Sequence, residues 1–195
     1  AADELGNARP TTANRYSAIT HRALDKQLKA LQAGKSAVEA AFNDTIDSLN
    51  RRYATEQKIG DNFVRMLSNN SSILTHCYAE TVIGCIIRAA KKQNKTLKAY
   101  DTATEPFFQG AKLTASCFQE GGFETTMVPD NMVNFVLERG DIDVFTTAAD
   151  SVTLDGYLVN KVGTKQNAIL CNRVGVPYFP TEIPDQDKKS HESRR

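Results

Sequence analysis

The sequence predicts an α/β fold in which a parallel sheet flanked by helices follows a helical N-terminal region. Three observations predict it. Apolar residues recur at helical spacing through the first third of the chain. From residue 71 onward, short β-like runs alternate with helical patterns. Of the 195 residues, 41% are apolar and 24% charged, the balance of a folded globular protein. A chain of this length suits one domain of ordinary size, or a large and a small unit sharing a core.

Leu24, Leu28 and Leu31 form the first helical stripe, which stops at Gly34. Ser36 with Glu39 three residues on reads as a capping box, and Val38, Phe42, Ile46, Leu49 and Tyr53 follow on one face. Ile59, Phe63, Met66 and Leu67 continue the pattern up to the "SNNSS" break at 68–72. These stripes are expected to be core, packed in an antiparallel helical unit. Strands are then expected at 72–76, 97–101, 124–128, 142–147 and 176–179, with helices at about 79–93, 110–120, 130–139 and 163–174. That rhythm means βαβ units, hence parallel pairing and right-handed crossovers. The tail "DQDKKSHESRR" is charged, lacks apolar anchors and reads as solvated.

A net charge of +1 provides no field to gather nucleic acid or an anionic membrane, so neither is expected as a partner. No apolar run reaches membrane-spanning length and no signal-peptide pattern opens the chain. The opening "AADELGNARP" reads as mid-protein sequence, which suggests a piece of a longer chain. Cys77, Cys85, Cys117 and Cys171 include no C-x-x-C pair, and His21, His76 and His191 are scattered, so no metal site is expected. The cysteines read as reduced core thiols of a cytoplasmic protein.

In open parallel sheets, ligands bind beyond the carboxyl ends of the strands, beside helix N-termini. Three polar clusters fall at such ends: "THC" after the first strand, "DTATEPFFQG" after the second and "TTAAD" after the fourth. Cys77 precedes a helix whose free N–H groups can stabilise a thiolate, or it is simply a buried cysteine. His76 alternates to the other side of a regular strand and reads as a packed, hydrogen-bonded histidine. Asp150 is either a carboxylate with special partners or a cap on the next turn. Lys161, beside Asn160 and the Gly163-Thr164 helix start, suits an anion such as phosphate, or is a surface lysine. Gln109 can hydrogen-bond a sugar hydroxyl or its own loop, and Arg9 sits in an extended segment before Pro10.

In this order "ARPTTAN", "THC", "TATEPFFQGAKLTA", "AADSVTLDGYLVNKVGT" and "GVPYF" resemble the methylthioribose-1-phosphate isomerases and ribose-1,5-bisphosphate isomerases. The initiation factor 2B regulatory subunits share that fold. The resemblance covers nearly all of residues 5–180 and implies a Rossmann-like parallel sheet at 71–195 after a helical region at 1–70, usually as a homodimer. It places the catalytic pair on Cys77 and Asp150 and the substrate-binding roles on Arg9, Gln109, Asn160 and Lys161. No metal or organic cofactor is implied. The implied reaction converts an aldose bearing a phosphate on C1 to a ketose, with a phosphorylated pentose as substrate.

The short interval from Cys77 to Gln109, and Ser151 after Asp150, lean toward the ribose-bisphosphate type. There are departures too. Glu105 stands where the family motif has arginine, and Ala148, followed by Ala149, stands in place of the glycine of "GAD". Tyr78 and Ala79 replace small polar residues, and no "RGA" segment occurs. These leave an alternative open: a non-catalytic regulatory subunit that binds a sugar phosphate or nucleotide.

Overall fold

The computed structural model describes residues 2–8 and 13–181. Two compact units make it up. Among the described residues, one comprises 2–8, 13–55 and 150–159, and the other comprises 56–149 and 160–181.

The first unit holds helices α1 (Ala2–Asn7) and α2 (Ala13–Gln32) and the start of α3 (Ala37–Met66). The turn between α2 and α3 forms as the sequence predicts. Lys35 N–H donates to Ala30 O at 2.8 Å and Gly34 N–H to Leu31 O at 3.0 Å, the paired bonds of a Schellman stop. Ser36 Oγ then accepts from Glu39 N–H at 3.2 Å and opens α3. So short a connection makes the helices antiparallel, and Arg22 ties them by donating to Asp44 Oδ2 at 3.2 Å and Ser48 Oγ at 2.6 Å.

The apolar stripes of this unit are not core. Val38 is 81% exposed and Phe42 64%, and Leu24, Leu28, Leu31, Ile46, Leu49 and Tyr53 are exposed as well. Periodicity reports that one face of a helix is apolar; it does not say what lies against that face. The same unit contains a hairpin that the sequence analysis did not anticipate, β5 (Ser151–Val152) against β6 (Leu158–Val159), antiparallel. Its turn is held by Thr153, whose hydroxyl donates to Asp155 Oδ1 and accepts from Tyr157 N–H at 2.9 Å.

The second unit is the α/β body. Strands β1 (Ser71–Thr75), β2 (Leu97–Thr102), β3 (Glu124–Val128) and β4 (Val144–Thr146) form a parallel sheet in the order β3-β2-β1-β4. Ile73 pairs in register with Ala99 on one side and Val144 on the other. All of β1 is buried, as a central strand must be, and its side chains alternate. Ile73 joins Val82, Ile86, Leu97 and Phe118 on one face, while Leu74 joins Val128, Val133, Phe145 and Cys171 on the other. The strand expected at 176–179 is reduced to one parallel bridge, Tyr178 to Phe145, with their rings stacked 4.5 Å apart.

Helices α4 (Glu80–Lys92), α5 (Ala115–Glu120), α6 (Val133–Glu138) and α7 (Thr164–Val174) fall where the pattern placed them. The helix expected from residue 110 starts as a π-helical turn, Gly110–Thr114, before α5. Lys95 closes the end of α3, its ammonium donating to Val64 O at 2.7 Å and Leu67 O at 2.5 Å.

Candidate functional site

With order β3-β2-β1-β4, the chain runs outward from β1 in both directions, so the switch in winding lies between β1 and β4. Crevices in open α/β sheets form at the carboxyl ends of such strands. A narrow one is present there, lined by Thr75, His76, Cys77, Thr146, Thr147 and Ala148 among others.

Cys77 is the second residue past β1 and two before Ala79, the N-cap of α4. It is half-buried with φ +70°, the left-handed region that a residue with a Cβ occupies only when its surroundings force it. Two hydrogen bonds do so. Cys77 N–H donates to Thr104 Oγ1 at 2.9 Å, and Cys77 O accepts from Thr114 Oγ1 at 2.6 Å. Thr114 reaches it from the π-helical turn. That turn starts against the end of β2, where a Cβ on Gly110 would lie 1.8 Å from Thr102 O, so only glycine fits.

The segment after β2 is itself wound tightly. Thr104 and Phe108 have φ of +61° and +60°. Asp130, just past β3, clamps it: its two carboxylate oxygens accept from Thr104 N–H at 2.8 Å and Glu105 N–H at 2.7 Å. Gln109 follows; with its amide turned so that donors face acceptors, its nitrogen donates to Thr104 O at 3.2 Å and its oxygen accepts from Lys161 Nζ at 3.0 Å. The Lys161 ammonium also lies 5.6 Å from the centre of the exposed Phe107 ring, within cation–π range. Asn160 Nδ2 donates to Thr164 Oγ1 at 3.0 Å at the first turn of α7, where Gly163 caps with φ +100°.

Thr104 therefore joins three of the residues that the sequence analysis named. It binds Cys77 through its hydroxyl and Gln109 through its carbonyl, and Gln109 passes to Lys161. Asn160 sits on the same turn as Lys161. Among the described residues no carboxylate pairs with the Lys161 ammonium, so the cation is available to an anion. Glu105 is exposed at the turn after β2. Its carboxylate brings negative charge where the family motif has a cation.

Asp150 belongs to the other unit. It is half-buried at the start of the β5–β6 hairpin, where its N–H donates to Val159 O at 2.8 Å. Arg9 lies outside the described residues. Thr102, Thr104, Thr114 and Asp130 were not singled out from the sequence. Asp130 had a usable signal, a carboxylate two residues beyond a strand end, after Pro129.

His76 is buried and doubly bonded, Nδ1 to Thr102 Oγ1 at 2.6 Å and Nε2 to Val162 O at 2.7 Å. Desolvation lowers its pKa despite the Val162 bond and the nearby Asp130 carboxylate, so the ring is neutral at physiological pH. The other thiols are free, and burial pushes up Cys85, against Arg88, and Cys171, the latter to about 11. Tyr78 is raised to about 12 by burial and by its contact with Cys117. Among the described residues no cluster of His, Cys, Asp or Glu could hold a metal ion, and no helix is long and apolar enough to cross a membrane.

Comparison with known proteins finds relatives along most of the chain. The methylthioribose-1-phosphate isomerase of Fervidobacterium nodosum is 31% identical over 96% of this chain and 56% of its own length. That of Carboxydothermus hydrogenoformans is 33% identical over 91% and 54%. The chain thus spans about half the length of these curated relatives. Among solved structures, 5-methylthioribose 1-phosphate isomerase from Pyrococcus horikoshii OT3 has a TM-score of 0.75 at 24% identity, covering 97% of this chain and 56% of that one. The translation initiation factor eIF-2B subunit delta from A. fulgidus has a TM-score of 0.73 at 24% identity, covering 98% and 61%. Both share the fold. The model of the Initiation factor 2 subunit family matches residues 1–181, and the chain belongs to that family.

Proposed function

We propose that the protein contributes to an aldose–ketose isomerase acting on a ribose 1-phosphate derivative, with Cys77 and Asp150 as its proton-transfer pair. The observation that supports this best is the convergence on Thr104 of a thiol-bearing turn and Gln109, which in turn holds a lysine that no carboxylate among the described residues pairs with, at the carboxyl ends of β1 and β2. A phosphate on C1 keeps the sugar ring closed, so ring opening needs an acid at the ring oxygen. Lys161 and Asn160, at the first turn of α7, would hold that phosphate.

Asp150 would give its proton to the ring oxygen as the bond from C1 to that oxygen breaks. The Cys77 thiolate would take the proton from C2, leaving a C1–C2 enol. Return of a proton to C1 and loss of the 2-hydroxyl proton then give the ketose, with no net redox change. The name of the curated relatives favours methylthioribose 1-phosphate, and ribose 1,5-bisphosphate is the other candidate.

Incubation with each sugar phosphate, followed by ketose detection, tests the reading. Turnover of either one is expected, with Cys77→Ser and Asp150→Asn each lowering it by about a thousandfold or more while the melting temperature holds. Near-normal turnover in either variant would remove that residue from the pair. Glu105 favours a second reading, a regulatory subunit that binds such a ligand without converting it. Saturable binding of both sugar phosphates with no ketose formed would select it.

A further inference from the structure

Five groups in the α/β body hydrogen-bond in series. Neutral His76 donates through Nε2–H to Val162 O, which leaves Nδ1 as an acceptor for the Thr102 hydroxyl at 2.6 Å. With that proton committed, the Thr102 hydroxyl oxygen can only accept from the Thr104 hydroxyl at 3.2 Å, a donor it shares with Thr102 O at 3.3 Å, and Thr104 Oγ1 in turn accepts Cys77 N–H. All the bonds after His76 point one way, from Cys77 N–H toward the ring, and bonds aligned so reinforce one another. His76, Thr102 and Thr104 are 6%, 0% and 1% exposed, so water does not compete along most of this path.

Each end of the series lies at or beside a residue in the left-handed region. At one end is Cys77 at φ +70°. At the other, Val162 lies between Lys161 and Gly163, and Gly163 has φ +100°. A Cβ on Gly163 would lie 2.8 Å from His76 Cε1 and Nε2, so the turn and the ring are in direct contact.

We propose that His76 is a positioning residue that locks the turn carrying Lys161 to the turn carrying Cys77 through Thr102 and Thr104. It sets the distance between the anion grip and the thiol. The proposal rests on reading those two residues as one site. Strand pairing alone fixes neither turn, since β1 ends at Thr75 and residues 160–163 lie outside the sheet. Protonation of His76 would turn Nδ1 into a donor facing the Thr102 hydroxyl and reverse the series. The charged groups that act on the ring are Asp130, which favours protonation, and Lys161, which opposes it.

The test is peptide-resolved alkylation by iodoacetamide in the native protein, with Cys77 measured against Cys117, the other half-buried thiol, as internal reference. Thr102→Val keeps the shape and deletes the hydroxyl, whereas Thr102→Ser keeps the hydroxyl and deletes a methyl. If the site only needed packing, valine would be the milder change. The series requires the opposite: at neutral pH Thr102→Val should slow Cys77 alkylation about fivefold or more, and Thr102→Ser should stay within about twofold of wild type. Gly163→Ala, which pushes on the ring from the far turn, should slow Cys77 as well. Its effect should largely vanish in the Thr102→Val background. Should Thr102→Val fail to fold, His76→Gln, which keeps a donor for Val162 O but offers Thr102 no ring acceptor, reads the same way.

Equal Cys77 rates in the Val and Ser variants, or additive effects of Gly163→Ala and Thr102→Val, would overturn the proposal. Absence of turnover and binding with both sugar phosphates would instead defeat the reading of the site. The alkylation series would still judge the mechanical link.

Discussion

Asp101 sits on β2 with no solvent exposure, one carboxyl oxygen accepting from Thr75 Oγ1 at 2.9 Å and the other without a partner among the described residues. Burial raises its pKa from 3.8 to about 7, and the Thr75 bond only partly opposes that. The sign of the pH dependence follows. Between these two values the unfolded chain has released the proton while the folded chain still holds it, so stability falls as pH rises through that window and levels off above it. The slope from this one group is at most about tenfold in the folding constant per pH unit. Asp101→Asn should remove that slope and leave the variant more stable than wild type near neutral pH, measured by urea unfolding across the range. A wild type and variant with parallel profiles would show that Asp101 ionises freely. The sequence marked this residue only as the head of the polar cluster "DTATEPFFQG", because "AYDTAT" does not reveal that the carboxylate lands between central strands. Cys77, Gln109, Asn160 and Lys161 were legible as candidates from their places at strand ends and helix starts, and motif resemblance gave them their roles. The threonines that connect them were not, since a hydroxyl gains its role from a partner tens of residues away, as Thr104 does from Cys77.

At the scale of elements, local chemistry was readable and long-range chemistry was not. The stop at Gly34 and the start at Ser36 use bonds within five residues, and both formed as expected. The π-helical turn at Gly110–Thr114 depends on contact with Thr102 and Cys77, which no local pattern encodes. Lys95 is another case: a lysine in the turn before β2 closes the carboxyl end of the 30-residue α3. Its ammonium reaches Leu67 O and adds a second bond to Val64 O, which also accepts from Leu67 N–H at 3.1 Å, and it meets the negative end of the helix dipole. Lys95→Met keeps the aliphatic stem and removes the donor, and should cost about 1–2 kcal/mol. Urea unfolding would then show a lower midpoint at an unchanged m-value, since the surface exposed on unfolding is the same. An unchanged midpoint would mean that the carbonyls are as well served by water.

At the scale of the whole molecule, the parallel sheet was reachable from the strand–helix rhythm, whereas the exposure of the N-terminal stripes was not. Val38 and Phe42 look like core in sequence and are open to solvent in the folded chain. Since the chain spans about half the length of its curated relatives, an isomerase activity has to be established on this polypeptide itself. Kinetics can ask whether Cys77 and Asp150 act as a unit. Groups that serve a single transition state are strongly non-additive: once one is lost, removing the other costs little more. If both residues act in one proton-transfer sequence, Cys77→Ser combined with Asp150→Asn should turn over no more than about tenfold slower than the worse single variant. If they act in independent steps or at separate places, the two losses should multiply. Running the reaction in deuterated water adds a readout that positioning effects alone would not move. Deuterium should appear at C1 of the ketose wherever Cys77 exchanges its proton with solvent. A ketose formed without any label would point to direct hydrogen transfer between the two carbons and away from a thiolate base.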